Sequence, residues 1–220
     1  MLNIPEIIKS EIPIAFFKEM KSVLDQAYEE AVIISKSHFS TPEASNMLPH
    51  LFNGKVESHL REIASKYSCF DVETVKLENG YYHNIIRTDS IVITQKSIQS
   101  IGSMIEPSLR KKSLAQGNAI LLNNYQPPLF AIDPMQGEGV NNRLYGILTH
   151  NRASVYEKNE SLFLNLAFPD PEFNEYITNF DIIDYCNSTR FINVVATPIV
   201  EIQDETDPKL KITLDEVKAQ

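Results

Sequence analysis

The chain has 220 residues, of which 43% are hydrophobic and 22% are charged, so it can form one large packed domain or two small ones. Its 29 acidic and 20 basic residues give a formal net charge of −9, which disfavours nucleic-acid binding over a broad surface because phosphates would be repelled. Two cysteines exclude a disulfide framework and a four-thiolate zinc site, and 7 glycines exclude most glycine-rich phosphate loops.

The N-terminal segment lacks the basic residues of a secretory signal, so none is expected. No apolar run approaches the length of roughly 20 residues that a membrane helix needs. Two cysteines in a chain without a predicted signal are typical of a reducing compartment. We therefore expect a soluble, cytoplasmic protein that does not contact a membrane.

The first third of the chain is predicted to be helical. Apolar residues recur at spacings of three and four between residues 15 and 34, which is typical of a helix with one buried face. The Ser-Thr-Pro segment at 40–42 predicts the start of a second helix. We expect that helix to end or kink at Pro49, because proline removes a backbone donor and clashes with the preceding turn. The Asn-Gly pair at 53–54 predicts a further break, followed by a third helix over residues 55–67.

After residue 69 the apolar pattern changes to alternation, which is typical of β-strands. Asn79-Gly80 is a strong hairpin signal because both residues tolerate positive φ. These signals predict a three-stranded antiparallel meander with strands at 70–77, 81–87 and 91–95.

The second half of the chain combines further elements with one long connection. Pro107 is expected to begin a helix that extends to about residue 122, and Asp170-Pro171-Glu172 is expected to begin another. Residues 123–142 are rich in proline, glycine and asparagine, which predicts a long loop. Further strands are predicted at 143–150, 161–168 and 191–202.

Runs of strands joined by short turns indicate an α+β protein with N-terminal helices packed on a mainly antiparallel sheet. We expect a single domain over residues 1–203, with a helical portion at 1–68 and a sheet-rich portion at 69–203. The polar residues 204–220 are expected to form a loosely ordered tail.

The first functional hypothesis is a non-catalytic interaction or regulatory protein that binds a protein partner and needs no cofactor. The chain contains no P-loop, no dinucleotide-binding fingerprint and no nucleophile elbow. Long loops and acidic surfaces commonly recognise partners. Asp133 and Glu138 in the long loop, with Arg143 directly after it, are therefore the candidate partner-binding residues.

The alternative hypothesis is a magnesium-dependent nuclease or phosphodiesterase, with nucleic acid as its substrate. Glu57 on a predicted helix and Asp71 and Glu73 on the first strand are candidate metal ligands, because Mg²⁺ prefers oxygen ligands. Lys76 is the candidate catalytic residue that would stabilise developing charge. The strand period of two places Lys76 on the face opposite the two strand carboxylates, so a bulge would be needed. A charged, solvent-exposed edge strand would show the same residues.

A third pattern combines aromatic and basic residues that would suit a groove for single-stranded nucleic acid or an acidic ligand. The net charge and the ordinary preference of aromatic residues for strands favour a structural role instead. The residues concerned are Tyr81, Tyr82, His83 and Arg87 on the second predicted strand and Arg110, Lys111 and Lys112 on a later helix.

Overall fold

The computed structural model describes residues 2–77, 80–98, 100–122, 143–151 and 163–195, with side chains described up to residue 188. The contacts divide the chain into two compact units, residues 1–187 and 188–220. The second unit is described only as the last turns of a helix, over 188–195. The predicted polar tail at 204–220 lies outside the described residues, so it and the predicted domain limits stay predictions.

Three helices precede a six-stranded sheet, which confirms the α+β class and the packing of N-terminal helices on a mainly antiparallel sheet. The strands lie side by side in chain order, and every neighbouring pair is antiparallel except β3 and β4. That parallel pair needs a crossover, and the crossover contains α4. The elements are α1 (Ile4–Glu11), α2 (Ile14–His38), α3 (Thr41–Ala64), β1 (Asp71–Lys76), β2 (Tyr82–Arg87), β3 (Ile91–Ser97), α4 (Leu109–Ala115), a 3-10 helix (Gln116–Leu121), β4 (Leu144–Asn151), β5 (Phe163–Pro169), β6 (Tyr176–Asp181) and α5 (Ile182–Val195).

Two hydrophobic cores lie on opposite faces of the sheet. Ile91 and Ile93 of β3 pack with α1, α2 and α3 on one face, which we call the α3 face. Val92 of the same strand packs with Ala115 of α4 on the other, which we call the α4 face. This division follows from the alternation of successive side chains along a strand. It also determines which polar residues can meet, because a strand side chain is directed to one face only.

Helix α3 continues through both predicted breaks, so those predictions are wrong. Pro49 lies inside the helix, and a Cβ added at Gly54 would meet nothing within 4 Å. The local cost is about 3 kcal/mol for an interior proline and about 1 kcal/mol for a glycine. Phe52, Val56 and Leu60 are all at most 7% exposed, and burial of such side chains contributes about 1.5–3 kcal/mol each. Tertiary burial along this helix therefore outweighs the local signals.

The predicted meander is confirmed. Strands β1 and β2 are paired from Asp71↔Arg87 to Lys76↔Tyr82, and β2 pairs antiparallel with β3. Gly80 in the connecting turn has φ of 84°, a conformation that favours glycine. Asn79 lies outside the described residues.

Two predictions near the C-terminus are wrong. The segment at 170–172 begins a turn rather than a helix, because the Asp170 carboxylate accepts a hydrogen bond from the Asn174 N–H and Phe173 adopts φ of 62°. Strand β6 follows this turn. A helix occupies 191–195, where a strand was predicted, and 196–202 lie outside the described residues. Asp181 Oδ1 accepts the Asp184 N–H at 2.8 Å, which caps the start of α5.

Candidate functional site

A buried carboxylate lies between α3 and the sheet. Glu57 is 6% exposed, and its Oε1 lies 2.6 Å from His83 Nδ1 and accepts a hydrogen bond from Gln95 Nε2 at 2.7 Å. Its Oε2 accepts the backbone N–H of Asn84 at 2.9 Å and the Asn84 side-chain amide at 2.8 Å. A buried carboxylate is stable only with such compensation, so these contacts hold Glu57 in one orientation.

Glu57 reaches these partners because the ladder between β2 and β3 is short. The two strands pair at Ile86↔Ile93 and at Arg87↔Val92, and no other pair joins them along their described lengths. Glu57 accepts the Asn84 N–H where the ladder would otherwise continue. His83 has the strand parity of Ile85 and therefore belongs to the α4 face, whereas Glu57 approaches from the α3 face. The Glu57–His83 contact consequently crosses the sheet through the opening between the strands.

The contact with Glu57 selects the tautomer of the neutral His83 imidazole. An ionised carboxylate accepts hydrogen bonds and does not donate them, so Nδ1 of His83 donates to Glu57. In the neutral ring, Nε2 then carries the free lone pair. Nε2 is buried, and no atom of the described residues forms a hydrogen bond with it. A buried polar atom without a partner is uncommon, and a catalytic role is one reason for it.

His83 lines a cavity of about 480 Å³ between β3, α4 and the turn that joins β1 to β2, which we call the basic cavity. Its volume lies in the range of small-molecule sites, about 300–1,000 Å³. Lys96, Arg110 and Lys111 also line it. Within the described part of the chain, none of these three cations lies within 4.0 Å of a carboxylate oxygen.

Lys111 has an unusual electrostatic environment. Burial and, to a smaller extent, the positive charge of Lys96 lower its pKa to about 8, and the negative charge of Glu57 opposes both effects. Two neighbouring ammonium groups in a partly desolvated cavity repel one another. An anion bound between them would relieve this repulsion.

Aromatic side chains also line the basic cavity. Tyr81 and Tyr82 line it and are 52% and 61% exposed. The His50 ring stacks on Tyr81, with centroids 6.1 Å apart and planes 15° apart. A second cavity of about 490 Å³ is also lined by these three residues, together with Glu57 and others. The turn between β1 and β2 thus presents exposed aromatic faces beside the cations.

Gln95 connects Glu57 to a second buried histidine. Gln95 Oε1 accepts a hydrogen bond from His150 Nε2 at 2.9 Å, which leaves the amide nitrogen directed to Glu57 and to Asn53 Oδ1 at 3.0 Å. Burial lowers the pKa of His150 to about 4, against the opposing charge of Glu57. A neutral His150 therefore keeps the Gln95 amide in the orientation that Glu57 requires.

The structure does not bring the predicted metal ligands together. Thr74 donates a hydrogen bond to Asn84 on the face of Glu57, so Asp71 and Glu73, with the opposite parity, lie on the other face. There Arg87 Nη2 binds Glu73 Oε2 at 2.5 Å, and Arg87 Nη1 lies 3.8 Å from Asp71 Oδ2. Among the described residues, no group of three or more His, Cys, Asp or Glu side chains could hold a metal ion.

The described residues among the other predicted site residues, Lys76 and Arg143, line neither cavity. Lys76 is exposed at the end of β1 and lines neither cavity. Arg143 Nε donates a hydrogen bond to the carbonyl of Asp89 at 3.1 Å, which joins the start of β4 to the turn between β2 and β3. Asp133 and Glu138 lie outside the described residues. The predicted partner-binding surface therefore stays a prediction.

The aromatic and basic pattern is the one that the tertiary structure assembles. Of its residues, Arg87 and Lys112 lie elsewhere, and the other five line the basic cavity. Asn84, Gln95 and Lys96 were not predicted as site residues. For Gln95 and Lys96 the sequence does hold a signal, the polar pair that follows the apolar run 91–93 and Thr94.

No family model, no curated protein and no solved structure matches this chain. In the described segments, no helix has both the length and the apolar character needed to cross a membrane.

Proposed function

We propose that this protein binds a phosphate-bearing nucleotide, alone or within a single-stranded nucleic acid, in the basic cavity. The supporting observation is the group formed by Lys96, Arg110 and Lys111, which have no carboxylate partner among the described residues. The chain has a net charge of −9, so acidic partners are abundant, yet within the described residues no carboxylate oxygen lies within 4.0 Å of these cations. Lysine and arginine donate strong, charge-assisted hydrogen bonds to phosphate oxygens.

The aromatic side chains favour a nucleotide over a simple anion. Tyr81 and Tyr82 are exposed next to the cations, and His50 already stacks on Tyr81. Stacking of a nucleic-acid base on an aromatic side chain contributes about 1–3 kcal/mol and does not depend strongly on the base. The net negative charge limits contact to the few phosphates nearest the cavity.

Fluorescence anisotropy with labelled single-stranded RNA, single-stranded DNA and a labelled mononucleotide tests this proposal. Inorganic phosphate serves as a competitor. The critical variant is Lys111→Gln, and Lys112→Gln is its matched control, because Lys112 is exposed on the same helix and the change of charge is equal. We expect Lys111→Gln to weaken binding and to reduce the slope of log Kd against log salt by about 0.7, the value for one phosphate contact on a single strand.

The outcomes separate the possible ligands. Tighter binding of oligonucleotides than of the mononucleotide would identify a polynucleotide, and equal binding would identify a free nucleotide. If Lys111→Gln and Lys112→Gln weaken binding equally, or if no probe binds, the basic cavity is not a nucleotide site.

The sequence also supports a protein partner for the loop at 125–142 and a cytoplasmic location. Neither Cys69 nor Cys186 is in a disulfide bond, which fits a reducing compartment. A pull-down from the native host with and without residues 125–142 tests the partner hypothesis, because deletion of the binding loop should remove a specific partner.

A further inference from the structure

We propose that the basic cavity cleaves RNA, with His83 accepting the proton of a ribose 2′-hydroxyl and Lys111 donating a proton to the departing 5′ oxygen. This inference rests on the nucleotide binding proposed above and adds a reaction to it. The geometry that carries it is the contact between Glu57 and His83 through the sheet.

His83 has the arrangement of a general base. Glu57 Oε1 holds Nδ1 at 2.6 Å, so the neutral ring carries its lone pair on Nε2, which is buried and can accept a substrate proton only when the side chains that line the basic cavity move. Gln95 and Asn84 donate hydrogen bonds to the same carboxylate and fix its position. Nε2 has no partner among the described residues, and His83 lines the basic cavity. Glu57 is accordingly a positioning residue, and His83 is the group that would touch the substrate.

The cations supply the remaining functions. Lys111 lines the basic cavity together with Lys96 and His83, and the charges of Lys96 and Glu57 both act on it. Burial lowers the pKa of Lys111 to about 8, which keeps it protonated at neutral pH while making it a better proton donor than an exposed lysine. Lys96 and Arg110 would bind the non-bridging phosphate oxygens and stabilise the charge that accumulates on them.

The proposed step balances without an added reactant. The 2′ oxygen forms a bond to phosphorus, and its proton moves to His83 Nε2. The bond between phosphorus and the 5′ oxygen breaks, and that oxygen receives a proton from the Lys111 ammonium. The products are a 2′,3′-cyclic phosphate and a free 5′-hydroxyl. Return of the proton from His83 to Lys111 through solvent restores the starting state.

RNA is the substrate class for which these side chains suffice. Its 2′-hydroxyl is held beside the phosphorus by the ribose itself, and such an internal nucleophile removes much of the entropic cost of the reaction. An imidazole and an ammonium group then provide the two proton transfers that the step requires. DNA of the same sequence would bind to the cations and aromatic rings but would not react.

The decisive experiment uses the unmodified protein in the presence of EDTA. Its substrates are a single-stranded RNA and the same strand with 2′-deoxyribose at every position. We expect cleavage of the RNA to products that end in 2′,3′-cyclic phosphate and no cleavage of the DNA. If the RNA binds by anisotropy and stays intact, the catalytic inference is wrong and the binding proposal stands. If neither strand binds, both are wrong.

Variants then assign the roles. We expect His83→Gln to lower kcat by at least about a hundredfold, as removal of a general base does, and His83→Gly to regain activity when imidazole is added. His59→Gln is the control, because His59 lies on α3 beside Glu30 and lines neither cavity. Glu57→Gln should lower kcat while KM stays unchanged. Full activity of a folded His83→Gln variant would overturn the assignment.

Discussion

Acidification from pH 7 to pH 4 should destabilise this protein through His150. This side chain is completely buried, and burial lowers its pKa to about 4, whereas the unfolded chain has the ordinary value of 6.5. Glu57 is the charged group that opposes the effect, Gln95 forms a hydrogen bond with the imidazole, and the Phe52 ring packs edge-on against it. Between pH 6.5 and pH 4 the unfolded state therefore binds a proton that the folded state does not bind.

The sign and the size of the change in stability follow from this difference in proton binding. The contribution of neutral His150 to the free energy of unfolding is fully present above pH 6.5 and is lost progressively as the pH falls towards 4. Each pKa unit corresponds to about 1.4 kcal/mol, so the difference between 6.5 and about 4 amounts to about 3 kcal/mol in the free energy of unfolding. This is a large fraction of the total stability of a typical domain, about 5–15 kcal/mol.

Urea denaturation at a series of pH values between 7 and 4 measures the effect. We expect His150→Gln to be less stable at pH 7 and to lose much less stability on acidification than the unmodified protein. His38→Gln, at an exposed position, should retain the full pH dependence. If His150→Gln loses stability with pH as steeply as the unmodified chain, another group carries the acid sensitivity and the reasoning is wrong.

Three further substitutions test the cavity and the packing of the sheet. Lys111→Met should raise the free energy of unfolding at pH 7 by up to about 3 kcal/mol in urea denaturation. The reason is that the pKa of Lys111, about 8, lies below the ordinary value, so the folded state disfavours the positive charge. The control Lys112→Met should change the free energy of unfolding by less than about 0.5 kcal/mol. Asn118→Leu should cost about 3 kcal/mol, because its fully buried amide satisfies the N–H and carbonyl of Tyr145 and the carbonyl of Pro169; an unchanged melting temperature would contradict this. Gly146→Ala should cost about 1–3 kcal/mol by thermal denaturation, since a Cβ there would lie 2.8 Å from Leu166 Cδ1, and no loss would mean that the Leu166 side chain moves freely.

The charge of Lys111 affects both ligand binding in the basic cavity and the stability of the fold. A partly buried ammonium close to Lys96 is unfavourable for folding, and the same arrangement favours an anionic ligand. Proteins commonly retain such destabilising groups where function needs them. A Lys111→Met variant that is more stable than the unmodified protein and binds nucleotides less tightly would show that the same charge lowers stability and supports binding.

The sequence by itself determined the elements whose signals are local. The alternation after residue 69 and Gly80 predicted the meander, and the spacing of apolar residues predicted α2, because both patterns act over a few residues. The α+β class followed from the order of these elements.

Only the tertiary structure decided which polar residues meet. Glu57 and His83 are 26 positions apart, and their contact needs α3 to continue past Pro49 and Gly54 and the β2–β3 ladder to end at Ile86. The first condition depends on burial against distant strands, and the second on how far β2 and β3 pair, so neither is encoded in a local pattern. The strand charges were visible in the sequence, but the face on which each lies relative to α3 depended on the packing of the whole sheet.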